Sequence, residues 1–327
     1  MSKYQEIKER LNQGLFPAVP IPFTKEGKIH MEAQRSYMEY MKKQPVDGLS
    51  LWVHTGRGLY ITEEQRKEIF TLWREAMPDK VMIVGVGADL AACEEAEDVE
   101  AEYIKQSVAM AKTAKALGAD ACLVYAPKIY KGREDMEEKI LAYHKEIAKV
   151  GLPIILFYLY EAAGGILYSL PLLEQLFQIE EVVGIKMASL DSVMTYQDIS
   201  TFIQEKCPDK LLITGEDRMF GYTMMRGAQG ALIGLSCACG DLQKAMMKAW
   251  YEKDIETFVK LALQVDELAE CTFVAPMEGY IKRMLMVLHY LGVIPREATY
   301  DPWGPIEELS VEEAEKIKSV LKKIGQI

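Results

Sequence analysis

A lysine that interrupts an apolar, β-branched run is the residue of this chain best suited to covalent chemistry. Lys186 lies within Val182-Val-Gly-Ile-Lys-Met-Ala-Ser189, and removal from water there disfavours the ammonium and lowers the pKa of the amine. A free-base amine adds to a carbonyl, loses water and forms a Schiff base, whose protonated C=N draws electrons from the neighbouring carbon. The same lysine also fits a plainer part, at a strand end and reaching solvent or a carboxylate. Other spacings are poorer. Cys237-x-Cys239 has no second cysteine pair, and none of the four histidines stands at ligand spacing with carboxylates, so a metal site is not expected. Gly85-x-Gly87 lacks the rest of a dinucleotide fingerprint, and no GxxxxGK[ST] loop occurs. The chemistry these residues imply needs no metal and no organic cofactor.

Eight compact apolar runs must position that lysine. They open near Phe16, Leu49, Val81, Asp120, Pro153, Val182, Leu211 and Ala231, at intervals of 20–39 residues, and read as buried strands. The stretches between them, such as Thr62–Met77 and Ala101–Gly118, carry apolar residues three and four apart, as amphipathic helices do. Strands apolar on both faces that alternate with helices are parallel and helix-covered. The count fits an α/β chain folded as a (β/α)8 TIM barrel with a C-terminal helical extension. In such barrels catalytic groups stand at the C-terminal ends of the strands. Pro17, Pro20 and Pro22 lack amide donors, which predicts a short or irregular first strand. Thr62-x-x-Gln65 and Ser310-x-x-Glu313 have the form of capping boxes, and Gly118 and Gly151 stand where helices end. The expected organisation is a barrel with a short N-terminal helix over residues 1–252 and a helical bundle packed on it over residues 253–327.

Composition narrows the class. Of 327 residues half are hydrophobic and 27% charged, with 38 Lys+Arg against 49 Asp+Glu and a net charge of −11. That permits a sizeable core and excludes a disordered or membrane-spanning chain. An acidic balance without Lys/Arg blocks argues against nucleic acid and anionic membranes as partners. The opening MSKYQEIKERLNQ has no apolar leader core, so a cytoplasmic location is expected. Six scattered cysteines are expected to be reduced and structural.

Gly184-Ile185-Lys186 on the sixth run, Pro22-Phe23-Thr24 with Gly27 after the first, Thr55-Gly56 after the second, Gly85-x-Gly87 on the third and Gly215-Glu216-Asp217 after the seventh occur in this order across nearly the whole chain. Together they resemble the dihydrodipicolinate synthase / N-acetylneuraminate lyase family. The resemblance implies a (β/α)8 class I aldolase or lyase, usually a homotetramer, that holds pyruvate or another 2-oxo acid as an imine on the lysine matched by Lys186. It also implies a tyrosine on the fifth strand that relays protons. Counting from Pro153 places Phe157 at that position, whereas counting back from Gly165 places Tyr158 there. A slip of one residue turns a side chain to the other face, so Tyr158 points inward only if the strand carries a bulge. Because the imine chemistry needs a hydroxyl acid/base, Tyr158 is the expected relay and Tyr160 its reserve.

Three departures bear on substrate. The arginine that holds the carboxylate of aspartate semialdehyde in dihydrodipicolinate synthases falls on Ala162 or Ala163, so that activity is not expected. The hydroxyl pair followed by Gly-Glu reads His54-Thr55-Gly56-Arg57. Thr55 keeps one hydroxyl for the 2-oxo acid carboxylate, and His54 takes the place of the other as donor or acid/base. Arg57 is either a carboxylate clamp or half of a structural ion pair. Tyr130 lies one residue beyond the family's third hydroxyl, which falls on Ile129; a shifted loop would make Tyr130 its substitute. The expected function is a Schiff-base lyase or aldolase joining or releasing a small 2-oxo acid and an aldehyde. A dehydratase or hydratase-aldolase of a sugar-derived 2-oxo acid, and a silent binder of a small acid, are the alternatives.

Overall fold

The computed structural model describes residues 2–190 and 192–327. Seven strands, β1 (Gly48–Leu51), β2 (Val81–Val86), β3 (Ala121–Tyr125), β4 (Ile154–Leu159), β5 (Val182–Ala188), β6 (Leu211–Thr214) and β7 (Gly230–Ala231), pair in parallel in chain order. Helix Met31–Met41 precedes β1, and helices Glu63–Ala76, Val99–Ala116, Met136–Ala148, Leu170–Phe177, Val193–Lys206 and Phe220–Met225 lie in the six intervals and cover the outer face. The arrangement is α/β and TIM-barrel-like. Both capping boxes form, at Thr62 and Ser310. Gly118 and Gly151 follow helix ends with φ of +86° and +72°, a region that costs glycine nothing.

The sheet has seven strands for eight apolar runs, and the first run is irregular, as its prolines predict. The Phe16 run forms no strand. Leu15 makes a single bridge to Ala231 and Ala18 one to Ser50, with Phe16 N donating to Ala231 O at 2.8 Å and Ser50 N to Pro17 O at 2.8 Å. Three prolines have removed the donors that a ladder needs. The segment therefore touches both edge strands without becoming one, and the Ala231 run contributes only a two-residue strand.

Side chains of the sheet sort into two cores. An inner one holds Ile83, Leu123, Ile155, Phe157, Val183 and Ile213; an outer one under the helices holds Val84, Val124, Leu156, Tyr158, Ile185 and Met187. Ile7 and Leu11 of the helix Lys3–Leu11 join the inner core. Lys3 Nζ donates to Gly151 O, Lys8 Nζ to Asp209 O, and Arg10 pairs with Asp120. All three partners lie just before β4, β6 and β3, so this helix seals the end where the strands begin and leaves the opposite end open.

One irregularity decides the aim of the lysine. Ile154 is opposite Val182 but Ile155 is opposite Gly184, so Val183 is an extra residue in β5. Beyond it the ladder is regular, and Phe157 faces Lys186 while Tyr158 faces Met187. Val183 and Lys186, three residues apart, consequently both point inward, as a bulge allows and a regular strand does not.

After β7 come helices Gly240–Tyr251, Ile255–Thr272, Tyr280–Tyr290 and Val311–Lys323. All six cysteines are buried and free. Among the described residues no helix is long and apolar enough to cross a membrane.

Candidate active site

Lys186 reaches from β5 into a cavity of about 40 Å³ bordered by Thr55, Phe157, Tyr160, Asp217 and Tyr280. The amine is buried, 8% exposed. Burial pulls its pKa from the ordinary lysine value down to about 8, against the opposing pull of the Asp217 and Glu216 carboxylates. Its Nζ lies 4.1 Å from the centre of the Phe157 ring, whose face attracts the cationic form. Gly215 makes room for the lysine stem, because a Cβ there would sit 2.4 Å from Lys186 Cε and 2.8 Å from Met187 O.

Two carboxylates follow β6. Glu216 accepts from the amides of Ser189 and Leu190 and from Ser189 Oγ at 2.7 Å, so it pins the loop after β5. Asp217 accepts from Leu235 N at 2.7 Å and borders the lysine cavity. Burial pushes its carboxyl up to about 7, a rise that the Leu235 amide and Lys186 oppose.

The helical C-terminal part supplies groups that sequence reasoning assigned no role. Met277–Gly279 forms a single turn leading into the helix Tyr280–Tyr290. Its Glu278 accepts from Tyr160 OH at 2.6 Å and is hydrogen-bonded to His54 Nε2. Burial pushes the Glu278 carboxyl up, but the bonds from His54 and Tyr160 and the nearby Arg57 outweigh it and hold the group at about 2. Tyr160 moves upward, first by burial and then by Glu278, so it keeps its proton. Tyr280 OH and Thr55 Oγ1 are 2.8 Å apart. A lone acid at the head of an apolar helix is the same kind of signal that Lys186 gives within its strand.

Of the sequence candidates, Lys186, His54 and Thr55 are brought together around this cavity. Tyr158 is not. It packs edge-on against Tyr168 at 5.7 Å in the outer core, because the extra residue of β5 lies upstream and leaves β4 alternating regularly through Phe157. Tyr130 is fully buried in the outer core beneath Arg133; its loop is not shifted toward the lysine. Arg57 resolves to the ion pair. Its Nε and Nη2 donate to the two carboxylate oxygens of Asp301 at 3.0 and 2.6 Å, both residues being buried. Replacing Arg57 by alanine strands the Asp301 charge and is expected to cost about 3–5 kcal/mol of stability, read as a shift in the denaturant midpoint. A clamp for substrate would instead raise KM at unchanged stability.

Beyond Phe157 and Leu159 the lysine cavity adjoins a neck of about 90 Å³, bordered by Trp52, Val53, Leu123 and Tyr125. The neck opens into a basin of about 530 Å³ with Tyr60 and Trp303 at its rim.

Comparison with known proteins finds relatives over nearly the whole chain. The family model described as the dihydrodipicolinate synthetase family matches residues 11–324. A 4-hydroxy-tetrahydrodipicolinate synthase of Moorella thermoacetica is 25% identical over 317 residues, covering 95% of this chain and 98% of that one. An N-acetylneuraminate lyase of Escherichia coli is 24% identical over 298 residues, 90% of this chain and 92% of the relative. The solved N-acetylneuraminate lyase of Fusobacterium nucleatum complexed with pyruvate superposes with a TM-score of 0.79 at 22% identity, over 98% of this chain and 99% of the other.

Proposed function

The chain belongs to the dihydrodipicolinate synthetase family, with relatives that are lyases of the class I aldolase type, and on that footing we propose that it forms a Schiff base between Lys186 and pyruvate or a related 2-oxo acid. The observation that carries this reading is the buried, low-pKa amine at the C-terminal end of β5, enclosed with a hydroxyl and a carboxyl. At pH 7 an amine of pKa about 8 offers roughly 300 times more free base than an ordinary lysine. Asp217, raised by burial, takes the proton that the ammonium sheds. Thr55, braced by Tyr280, receives the 2-oxo acid carboxylate together with the amides that open the turn His54–Gly56.

Tyr160 replaces Tyr158 as the relay. Its hydroxyl keeps its proton and is aimed by Glu278, which His54 fixes in turn. Proton donation by a positioned hydroxyl serves both directions of a carbon–carbon lyase.

Intact mass after borohydride reduction tests the proposal, first with pyruvate and then with longer 2-oxo acids. A gain equal to the acid less one oxygen is expected. The trapping rate should climb as pH rises through about 8, since only the deprotonated amine attacks, and level off above. Absence of an adduct with every acid would overturn the assignment, and a flat profile through that range would deny the amine its lowered pKa.

A further inference from the structure

We infer that the second reactant is an uncharged aromatic aldehyde, an assignment that rests on the imine reading above and concerns the space beside it. The neck next to Phe157 is walled by Trp52, Val53, Leu123, Phe157 and Leu159, with Tyr125 on the neighbouring strand. Tyr125 and Phe157 are in register on β3 and β4, and Phe157 is in register with Lys186. The aromatic wall therefore continues sideways from the amine at one height in the sheet. Farther out, the Tyr60 and Trp303 rings stack at 5.6 Å with 20° between their planes, both exposed at the rim of the basin.

Charge speaks for the same class. Arg57 is the cation bordering the neck among its described residues; its Nε and Nη2 are held by Asp301, and its Nη1 lies 4.0 Å from Glu278. The basin adds Asp89 and Glu278 against Lys128. A carboxylate-bearing aldehyde finds that guanidinium already matched by Asp301 and Glu278, and in the basin it meets Asp89 as well as Lys128. A polyhydroxylated one would meet His54, Arg57, Tyr60 and Tyr125 as polar partners and would leave its remaining hydroxyls against Val53, Leu123 and Leu159, out of water. A flat ring loses nothing on entry and stacks on the aromatic wall. The neck, about 90 Å³, is smaller than the roughly 150 Å³ apolar cavity that holds benzene, so a ring seated there extends into the basin of about 530 Å³ onto which the neck opens.

The step balances without a further reagent. The pyruvate imine gives a methyl proton to the Asp217 carboxylate bordering the same cavity and becomes the enamine, whose terminal carbon bonds to the aldehyde carbon. The aldehyde oxygen takes the Tyr160 proton, and water releases a 4-aryl-4-hydroxy-2-oxo acid from Lys186. The Tyr160 proton is restored from the one shed at the methyl.

Condensation with pyruvate, followed by mass spectrometry of the products, compares benzaldehyde, succinic semialdehyde and N-acetylmannosamine. Benzaldehyde is expected to lead both others in kcat/KM by at least roughly tenfold. Ala163→Arg, placed in the wall shared by neck and basin, is expected to narrow the benzaldehyde to semialdehyde ratio about tenfold by supplying a free fork. Semialdehyde or amino sugar matching or exceeding benzaldehyde, with the pyruvate imine still trapped by borohydride, would overturn this inference and leave the imine assignment intact. Failure to trap any imine would take both down together.

Discussion

Lys186→Met is expected to abolish the borohydride adduct and to lower kcat/KM for the 2-oxo acid by about 10⁴-fold or more, because the covalent step has no substitute nucleophile. The stability of the variant should hold or rise. Burial opposes the ammonium, and an apolar side chain of similar volume removes that opposition. Circular dichroism during denaturant unfolding separates the two effects. An inactive variant that is also badly destabilised would mean that the lysine holds the strand end together, and its chemistry would be in question. An adduct that persists in Lys186→Met would place the imine on another amine.

Tyr160→Phe should lower kcat by about 10²–10⁴-fold, the usual worth of a positioned acid/base, with the imine still trapped. The hydroxyl acts after the Schiff base forms, so trapping and turnover come apart. Tyr158→Phe serves as the control, since its ring lies against Tyr168 in the outer core, and its kcat should stay near that of the parent. Glu278→Gln keeps the shape of the turn and removes the charge that aims Tyr160, and it should fall between the two with a displaced pH profile. The reverse order, with Tyr158→Phe crippled and Tyr160→Phe active, would restore the family's register on β4.

The alternation of elements was legible because buried parallel strands and amphipathic helices leave strong periodic traces, and the capping boxes at Thr62 and Ser310 mark helix starts through short-range chemistry alone. Lys186 was legible for a related reason, as a charge where the pattern demands an apolar residue. The aim of Tyr158 was not. It depends on which residue of β5 is extra, and the bulge at Val183 has no composition of its own, since Val-Val-Gly-Ile reads equally well in either register. The role of Arg57 was undecidable locally, because its partner Asp301 lies 244 positions away. Glu278 escaped for a similar reason. Its meaning comes from His54 and Tyr160 across the mouth of the strands, and a helix that looked like an appendage to the barrel proved to be one wall of the pocket.

That wall gives the site an order in time. Lys186 leaves the ribosome 115 positions before Asp301, and at 5–20 residues per second this is a delay of roughly 6–23 s. Until the C-terminal helices dock, the open end of the strands carries Lys186 without Tyr280 beside it and Arg57 without Asp301. Tyr160 and Arg57 thus gain their partners Glu278 and Asp301 only once the C-terminal part has been made.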